Sequence, residues 1–240
     1  MKVAVVTTRS GPGGALANAL PGTVVTVGER PDGCDLPHVQ TDLGDRAAAD
    51  AAFDEVATIL GGLDALIHAA ALPDQPLMAT VDDLSTAQWI EASETPVKRA
   101  MFAMQAAYRI MAANGGGRIV LVQPTLGVSG RPGTAAISAA VEGQRILGKV
   151  AARQWGAAGI SVNAVLVGLD CAAPSLADGV AVAAAVAEVG TGYVPPALRA
   201  VGTSEPTRHL APLVAFFASP EGGLVTGQTV IADGGAWMLP

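Results

Sequence analysis

Short apolar runs that alternate with longer Ala-rich segments constrain the fold of this 240-residue chain most strongly. The runs are rich in Val and Ile and mostly do not alternate with polar residues, which is typical of parallel strands covered on both faces. They are Val3–Val6, Val24–Val27, Ala65–His68, Arg118–Val122 and Ile160–Val167. We therefore predict one α/β domain over residues 1–240, built on a doubly wound parallel sheet with helices on both faces.

Three segments between the runs carry apolar residues at helical spacing and are predicted as helices: Arg46–Leu60, Leu84–Ala113 and Ala135–Trp155. Residues 169–208 form the least regular stretch and contain four prolines. A long excursion at the carboxyl edge of such a sheet usually shapes a ligand site. We therefore expect this stretch to act as a substrate loop or lid.

The composition excludes several classes of function. The net charge is −7 and no basic cluster is present, which argues against nucleic acid or an anionic membrane surface as a partner. No apolar run approaches the ~18 residues that a membrane span needs, and the apolar run Val3–Val6 is too short for a secretory signal. With only two cysteines and no Cys/His spacing that fits zinc, we expect a cytoplasmic protein with reduced thiols and no metal.

A glycine-rich turn follows the first predicted strand, over Gly11-Pro12-Gly13-Gly14. In this position a turn lets backbone N–H groups approach a pyrophosphate at the start of a helix. The alternative is a tight strand-to-helix turn that binds no ligand. The residues of the turn leave both interpretations open.

This turn resembles the T-G-x-x-x-G-x-G motif of the short-chain dehydrogenase/reductase family. Thr8 matches the family Thr and Gly13 its middle Gly, whereas Arg9 replaces the first Gly; a shifted register retains Gly11 instead. Residues 159–165 also resemble the family's G-I-x-V-N-x-V, and Thr226-Gly227-Gln228 with Asp233-Gly234-Gly235 resembles its C-terminal motif. The resemblance spans nearly the whole chain and implies a Rossmann-like fold and NAD or NADP as cofactor.

The resemblance also implies which residues would contact a cofactor. Asp42 matches the acidic residue that contacts adenine, and Glu29 and Arg30 stand where an acid favours NAD and a base favours NADP. The other implied contacts are Thr8, Arg9, Gly11, Gly13, Leu43, Ala70 and Gly168. Arg9 in a glycine position and Val141 in the position of a ribose-binding Lys predict that binding is weak or absent.

The four catalytic positions of the family are all replaced. The family helix A-A-Y-S-A-A-K-x-G aligns with Ala135–Gly143, which puts Ile137 in the Tyr position and Val141 in the Lys position. Pro124 stands where the family has Ser, and Pro96 where it has the Asn of a proton relay. Because none of these side chains can transfer a proton, we predict no ordinary carbonyl reduction by this chain alone.

Four polar residues near the predicted site remain as speculative catalytic groups: His68, Gln123, Asp170 and Cys171. His68 would serve as a base or hydrogen-bond donor, or else only in packing. Gln123 would bond a substrate carbonyl, and Cys171 would need a base and a lowered pKa to act as a nucleophile. For each of them a purely structural role is the alternative.

A preserved scaffold without catalytic residues predicts a non-catalytic or regulatory subunit that acts with an active dehydrogenase of the same type. The resemblance assigns its dimer or tetramer contacts, with copies of itself or with that subunit, to the helices over residues 84–113 and 135–155. One alternative is an NAD(P)-dependent oxidoreductase with an atypical site. Another is a non-redox enzyme of lyase or isomerase type on the same fold.

Overall fold

The computed structural model describes residues 1–72, 77–172 and 205–237. Its central feature is a seven-stranded sheet in the order β3-β2-β1-β4-β5-β6-β7, with every neighbouring pair parallel. The strands are β1 Lys2–Thr7, β2 Thr23–Gly28, β3 His38–Gln40, β4 Ala65–His68, β5 Gly117–Pro124, β6 Ile160–Val167 and β7 Thr229–Ala232. This arrangement confirms the predicted doubly wound α/β fold. Part of the predicted loop over 169–208 lies outside the described residues.

The described residues form eight α-helices, which connect or flank the strands. They are α1 Gly13–Ala19, α2 Arg46–Leu60, α3 Thr86–Trp89, α4 Thr95–Ala113, α5 Leu126–Ser129, α6 Ala135–Trp155, α7 Leu169–Ala172 and α8 Ala211–Ala218. In β1 the side chains of Ala4 and Val6 pack with α2 and α4, whereas Val3 and Val5 pack with α1 and α8. Both faces of the sheet are therefore covered, which is why the strands read as continuous apolar runs.

The predicted helix over 84–113 is interrupted. Ser85 caps α3 with a reciprocal capping box to Gln88, and a π-helical turn over Ile90–Glu94 separates α3 from α4. Pro96 then falls in the first turn of α4, where a missing N–H costs little. The π turn absorbs the kink that a proline would otherwise force on a continuous helix.

The motif over residues 159–165 and the Thr226-Gly227-Gln228 motif are joined by hydrogen bonds between β6 and the segment before β7. The buried side chain of Asn163 donates to the Val225 carbonyl over 2.7 Å and accepts from the Gln228 N–H over 3.1 Å. The Thr226 hydroxyl accepts from the Val162 N–H over 3.1 Å. These motifs therefore hold the edge of the sheet together. Among the described helices, none is long and apolar enough to span a membrane.

Candidate nucleotide-binding cleft

The carboxyl ends of β1, β2, β3 and β4 meet around a cavity of about 280 Å³. Parallel sheets place ligand sites at this edge, where the strand order reverses beside β1. The cavity walls combine apolar and polar side chains with loop backbone. They comprise Val6, Thr7, Thr8, Gly28, Glu29, Gln40, Thr41, Asp42, Leu43, His68, Ala70, Leu72, Pro96 and Arg99.

Asp42 and Leu43 form the wall that follows β3. The Gly44 N–H donates to Asp42 Oδ1 over 2.9 Å, and Arg99 Nη2 lies 3.2 Å from the same oxygen. The Gly44 hydrogen bond, joined by the charge of Arg99, lowers the pKa of Asp42 below its ordinary value despite slight burial. The Asp42 side chain is 68% exposed, so its carboxylate is available as an acceptor on the cavity wall.

Glu29 and Arg30, at the end of β2, are both exposed. Glu29 lies between the cavity and a polar groove of about 400 Å³, and its carbonyl accepts from Thr7 Oγ1 over 2.6 Å. Arg9 and Arg30 line that groove and not the cavity. Pro31, Asp32, Gly33, Cys34 and Asp35 also line the groove, and Gln40 lines both spaces. The predicted cofactor residues are thus divided between two adjoining spaces.

The glycine turn is tightly packed. A Cβ on Gly11 would lie 2.7 Å from Thr8 Oγ1, and a Cβ on Gly13 would lie 2.7 Å from Thr7 Cγ2. Pro12 precedes α1 and provides no N–H, and α1 has only seven residues. These glycines therefore have a packing role, since any side chain would push the turn away from β1.

His68 ends β4 and is fully buried on the cavity wall. Neither ring nitrogen has a hydrogen-bond partner within the described residues. Burial lowers the pKa of His68 to about 4, because the charged imidazolium would lose its hydration. The imidazole is therefore neutral at pH 7, with one N–H donor and one nitrogen acceptor unused by the described chain.

The positions of the family's catalytic Tyr and Lys lie in an apolar cluster. Ile137 and Val141, on successive turns of α6, are fully buried there. Their buried neighbours are Leu72, Ala92, Leu126 and Ala136. Pro124, at the end of β5, is also buried, whereas Pro96 lines the cavity. None of the four side chains that stand in the family's catalytic positions can donate or accept a proton.

The remaining predicted polar groups do not converge on the cavity. Gln123 is buried and donates to the Val141 carbonyl over 3.3 Å, which directs its amide toward α6. Cys171 is buried in the core on the α8 side, so it is not an accessible loop thiol. Gly168 is buried after β6 and accepts backbone bonds from Cys171 and Ala172. The side chain of Asp170 lies outside the described residues.

Arg99, on α4, lies on the cavity wall beside Asp42, although no motif in the sequence indicates it. Gln40 and Thr41 also line the cavity and were missed. The sequence signal that could have identified them is their position directly before Asp42. Over the described ranges, no group of three or more His, Cys, Asp or Glu side chains could hold a metal ion.

The residues present fit only part of a nicotinamide dinucleotide. The Asp42 and Glu29 carboxylates suit the amine and hydroxyl donors of an adenosine. At the other end, Ile137 and Val141 are buried with no polar atom to hold a ribose. The adenosine half fits, and the nicotinamide half does not.

Comparisons with known proteins agree with this fold. A family model described as enoyl-(acyl carrier protein) reductase matches residues 22–236, which excludes the glycine turn. The chain is 32% identical over 249 residues to cis-4-hydroxycyclohexanecarboxylate dehydrogenase of Sinomonas cyclohexanicum, covering 98% of this chain and 96% of that protein. It is 29% identical over 206 residues to the 3-oxoacyl-[acyl-carrier-protein] reductase FabG of Staphylococcus aureus, covering 86% and 79%.

Two solved structures show the same fold. Levodione reductase superposes with a TM-score of 0.80 at 19% identity, covering 97% of this chain and 96% of that one. A short-chain dehydrogenase/reductase from Serratia marcescens superposes with a TM-score of 0.73 at 25% identity, covering 98% and 97%. The sequence motifs, the sheet order and these relatives lead to one conclusion: the chain belongs to the short-chain dehydrogenase/reductase family of oxidoreductases.

Proposed function

We propose that this chain is a non-catalytic or regulatory subunit that acts with an active short-chain dehydrogenase/reductase. The observation that carries the proposal is the full burial of Ile137 and Val141 in an apolar cluster, where the family has Tyr and Lys. A hydrocarbon side chain donates no proton and carries no charge that would lower the pKa of a neighbouring acid. Loss of one positioned general acid typically costs a factor of about 10²–10⁴ in rate, and here its supporting groups are replaced as well.

A partner of the same fold is supported by apolar side chains on the helix predicted to form the interface. Ile146 and Val150 lie one turn apart on α6 and are 53% and 46% exposed. Trp89 and Ile90, at the start of the interrupted helix, are 39% and 45% exposed. Exposed apolar groups on successive turns are typical of a surface that another chain covers.

Members of this family generally bind NAD(P), so the subunit retains a place for such a ligand. The chain would hold it through Thr8, Glu29, Asp42 and Leu43 on the cavity wall. A bound nicotinamide dinucleotide supplies hydride transfer in the active members of the family. Because this chain lacks the groups that hold the nicotinamide ribose, we propose that its affinity for the intact cofactor is weak.

The test is co-expression of the full chain with intact relatives from the same source, followed by purification through a tag on this chain. We expect a hetero-oligomer in which the partner is more active or more stable than alone. Ile146→Glu with Val150→Glu should release the partner, because both changes place charge in the apolar contact. Glu55→Lys, at an exposed position of α2 outside these two helices, is the control. A homomeric product with every relative would overturn the proposal.

The second candidate is an NAD(P)-dependent oxidoreductase with an atypical site. It is favoured by the 32% identity to an alicyclic hydroxy-acid dehydrogenase and by the neutral His68 on the cavity wall. The isolated chain is assayed with cis-4-hydroxycyclohexanecarboxylate and NAD⁺ or NADP⁺. Turnover that is lost in His68→Asn would support this candidate and contradict the non-catalytic role. Absence of turnover at millimolar substrate and cofactor would exclude this dehydrogenase reaction.

A further inference from the structure

Three polar side chains are enclosed between the carboxyl ends of β4 and β5 and helix α6. His68, Gln123 and Gln144 have no exposed surface. Four of their polar atoms have no hydrogen-bond partner among the described residues: both ring nitrogens of His68 and the amide oxygens of the two glutamines. We propose that these side chains form an internal binding site for an ordered water molecule. Such a site would be the same in a catalytic and in a non-catalytic chain.

The backbone brings the three side chains to one face of the sheet. His68 pairs with Leu121 in the parallel ladder of β4 and β5, and paired residues point to the same face. Leu121 faces α6, because a Cβ added to Gly148 would lie 2.9 Å from its side chain. Gln123, which follows on β5, points to that face as well. Because α6 begins at the carboxyl edge of the sheet and Gln144 precedes Gly148 by about one helical turn, Gln144 lies nearer that edge.

The hydrogen bonds that the glutamines already make orient their amides. Gln123 Nε2 donates to the Val141 carbonyl over 3.3 Å, and Gln144 Nε2 donates to the Ala71 carbonyl over 2.9 Å. A carbonyl accepts only from a donor, so turning either amide over would set two oxygens against each other. The amide oxygens of both glutamines are therefore fixed as unused acceptors, on a network that connects α6 to β5 and to the loop after β4.

The four atoms match the chemistry of a water molecule. Burial lowers the pKa of His68 to about 4, so at pH 7 the ring has one N–H donor and one acceptor nitrogen. A water that accepts from this N–H and donates to both amide oxygens satisfies three of the four atoms. A metal ion or an ammonium ion would have no acceptor for the N–H, and its charge would be buried among neutral groups at high cost. The donor set therefore favours neutral water over a cation.

Bare amide oxygens at this depth would weaken the fold. One buried polar group without a partner reduces the folding equilibrium constant by roughly 5- to 150-fold. Internal waters, each with about two to four polar partners, satisfy such groups, and a globular protein holds about one per 27 residues. A chain of 240 residues is therefore expected to hold several. The enclosed cluster of His68, Gln123 and Gln144 has the number of partners that such a water needs.

A high-resolution crystal structure of the full chain tests the site directly. We expect one ordered water within about 3.2 Å of a ring nitrogen of His68 and of the amide oxygens of Gln123 and Gln144. Absence of solvent density at this position would overturn the proposal. So would a rearranged side chain that bonds His68 directly to either amide oxygen.

The stability of a matched variant provides a second, independent test. Gln123→Met keeps nearly the same side-chain volume and removes the acceptor, while the Val141 carbonyl keeps its bond within α6. We expect the equilibrium constant for unfolding in urea to rise about fivefold, because the water loses a partner. An equal or lower constant would mean that Gln123 carries a bare oxygen, and would overturn the proposal. Gln154→Met, at an exposed position of α6, is the control and should leave the constant unchanged.

Discussion

Arg99 Nη2 lies 3.2 Å from Asp42 Oδ1 and connects helix α4 to the loop after β3. The two residues are 57 positions apart in the chain, and the contact forms because α4 packs beside the carboxyl edge of the sheet. It gives the cleft an anchored carboxylate in place of a freely moving one. The pair also balances charge on a wall that would otherwise be acidic.

Replacing Arg99 with Gln should raise the pKa of Asp42 toward its ordinary value, because a nearby cation is lost. The Gly44 hydrogen bond, which is the largest cause of the lowering, should still keep it below that value. The free energy of unfolding should change by less than about 1 kcal/mol, since both side chains are partly exposed. An NMR titration of the Asp42 carboxyl measures the shift. Arg153→Gln is the control, and an identical Asp42 pKa in wild type and Arg99→Gln would contradict the prediction.

The buried His68 should make the protein sensitive to acid. Its pKa is about 4 when folded and about 6.5 when the chain is unfolded, so between these values only the unfolded chain binds the proton. The neutral His68 therefore contributes its full share of stability above pH 6.5, and that share is lost as the pH falls toward 4. Over most of that range the free energy of unfolding should fall by about 1.4 kcal/mol per pH unit.

Urea unfolding at a series of pH values measures the effect of His68. The Asn side chain of His68→Asn does not titrate, so the free energy of unfolding of this variant should fall less steeply between pH 6.5 and 4. His209→Asn, which changes an exposed imidazole, should keep the wild-type slope. If wild type and His68→Asn lose stability in parallel over this interval, burial of a neutral His68 is not the cause.

The apolar cluster should resist restoration of the family Lys. Val141→Lys would bury an ammonium group among hydrocarbon side chains and should lower the free energy of unfolding by about 3 kcal/mol or more. Val150→Lys makes the same change on the same helix at a half-exposed position and should cost less than about 1 kcal/mol. Denaturant unfolding compares the two. Equal costs would mean that the position of Val141 opens readily to water.

Asn163 should be essential to the edge of the sheet. Asn163→Ala leaves the Val225 carbonyl and the Gln228 N–H without their partner and should cost about 2–4 kcal/mol. Asn114→Ala, at an exposed position after α4, should cost less than about 1 kcal/mol. Thermal and urea unfolding provide the measurement. A loss below 1 kcal/mol in Asn163→Ala would show that water replaces both bonds.

Much of the fold follows from local patterns. The predicted helices Arg46–Leu60 and Ala135–Trp155 have the same boundaries in the structure. Strong helical periodicity determines both, and α2 has in addition an Asp45 N-cap and a left-handed Gly61 at its end. The break at Ile90–Glu94 was not predicted as a π turn, because Pro96 signals a disturbance but not its geometry. The strand β3 is three residues long and carries little pattern of its own.

Periodicity and motif spacing are local properties, and they suffice for the fold class, the family resemblance and the positions where Tyr and Lys are replaced. Three other findings come from the folded chain: Arg99 contacts Asp42, His68 is buried without a described partner, and Ile137 and Val141 lie inside an apolar cluster. These three facts depend on how helices pack against the carboxyl edge of the sheet. Burial and desolvation arise from that packing, and they are not encoded at any single position.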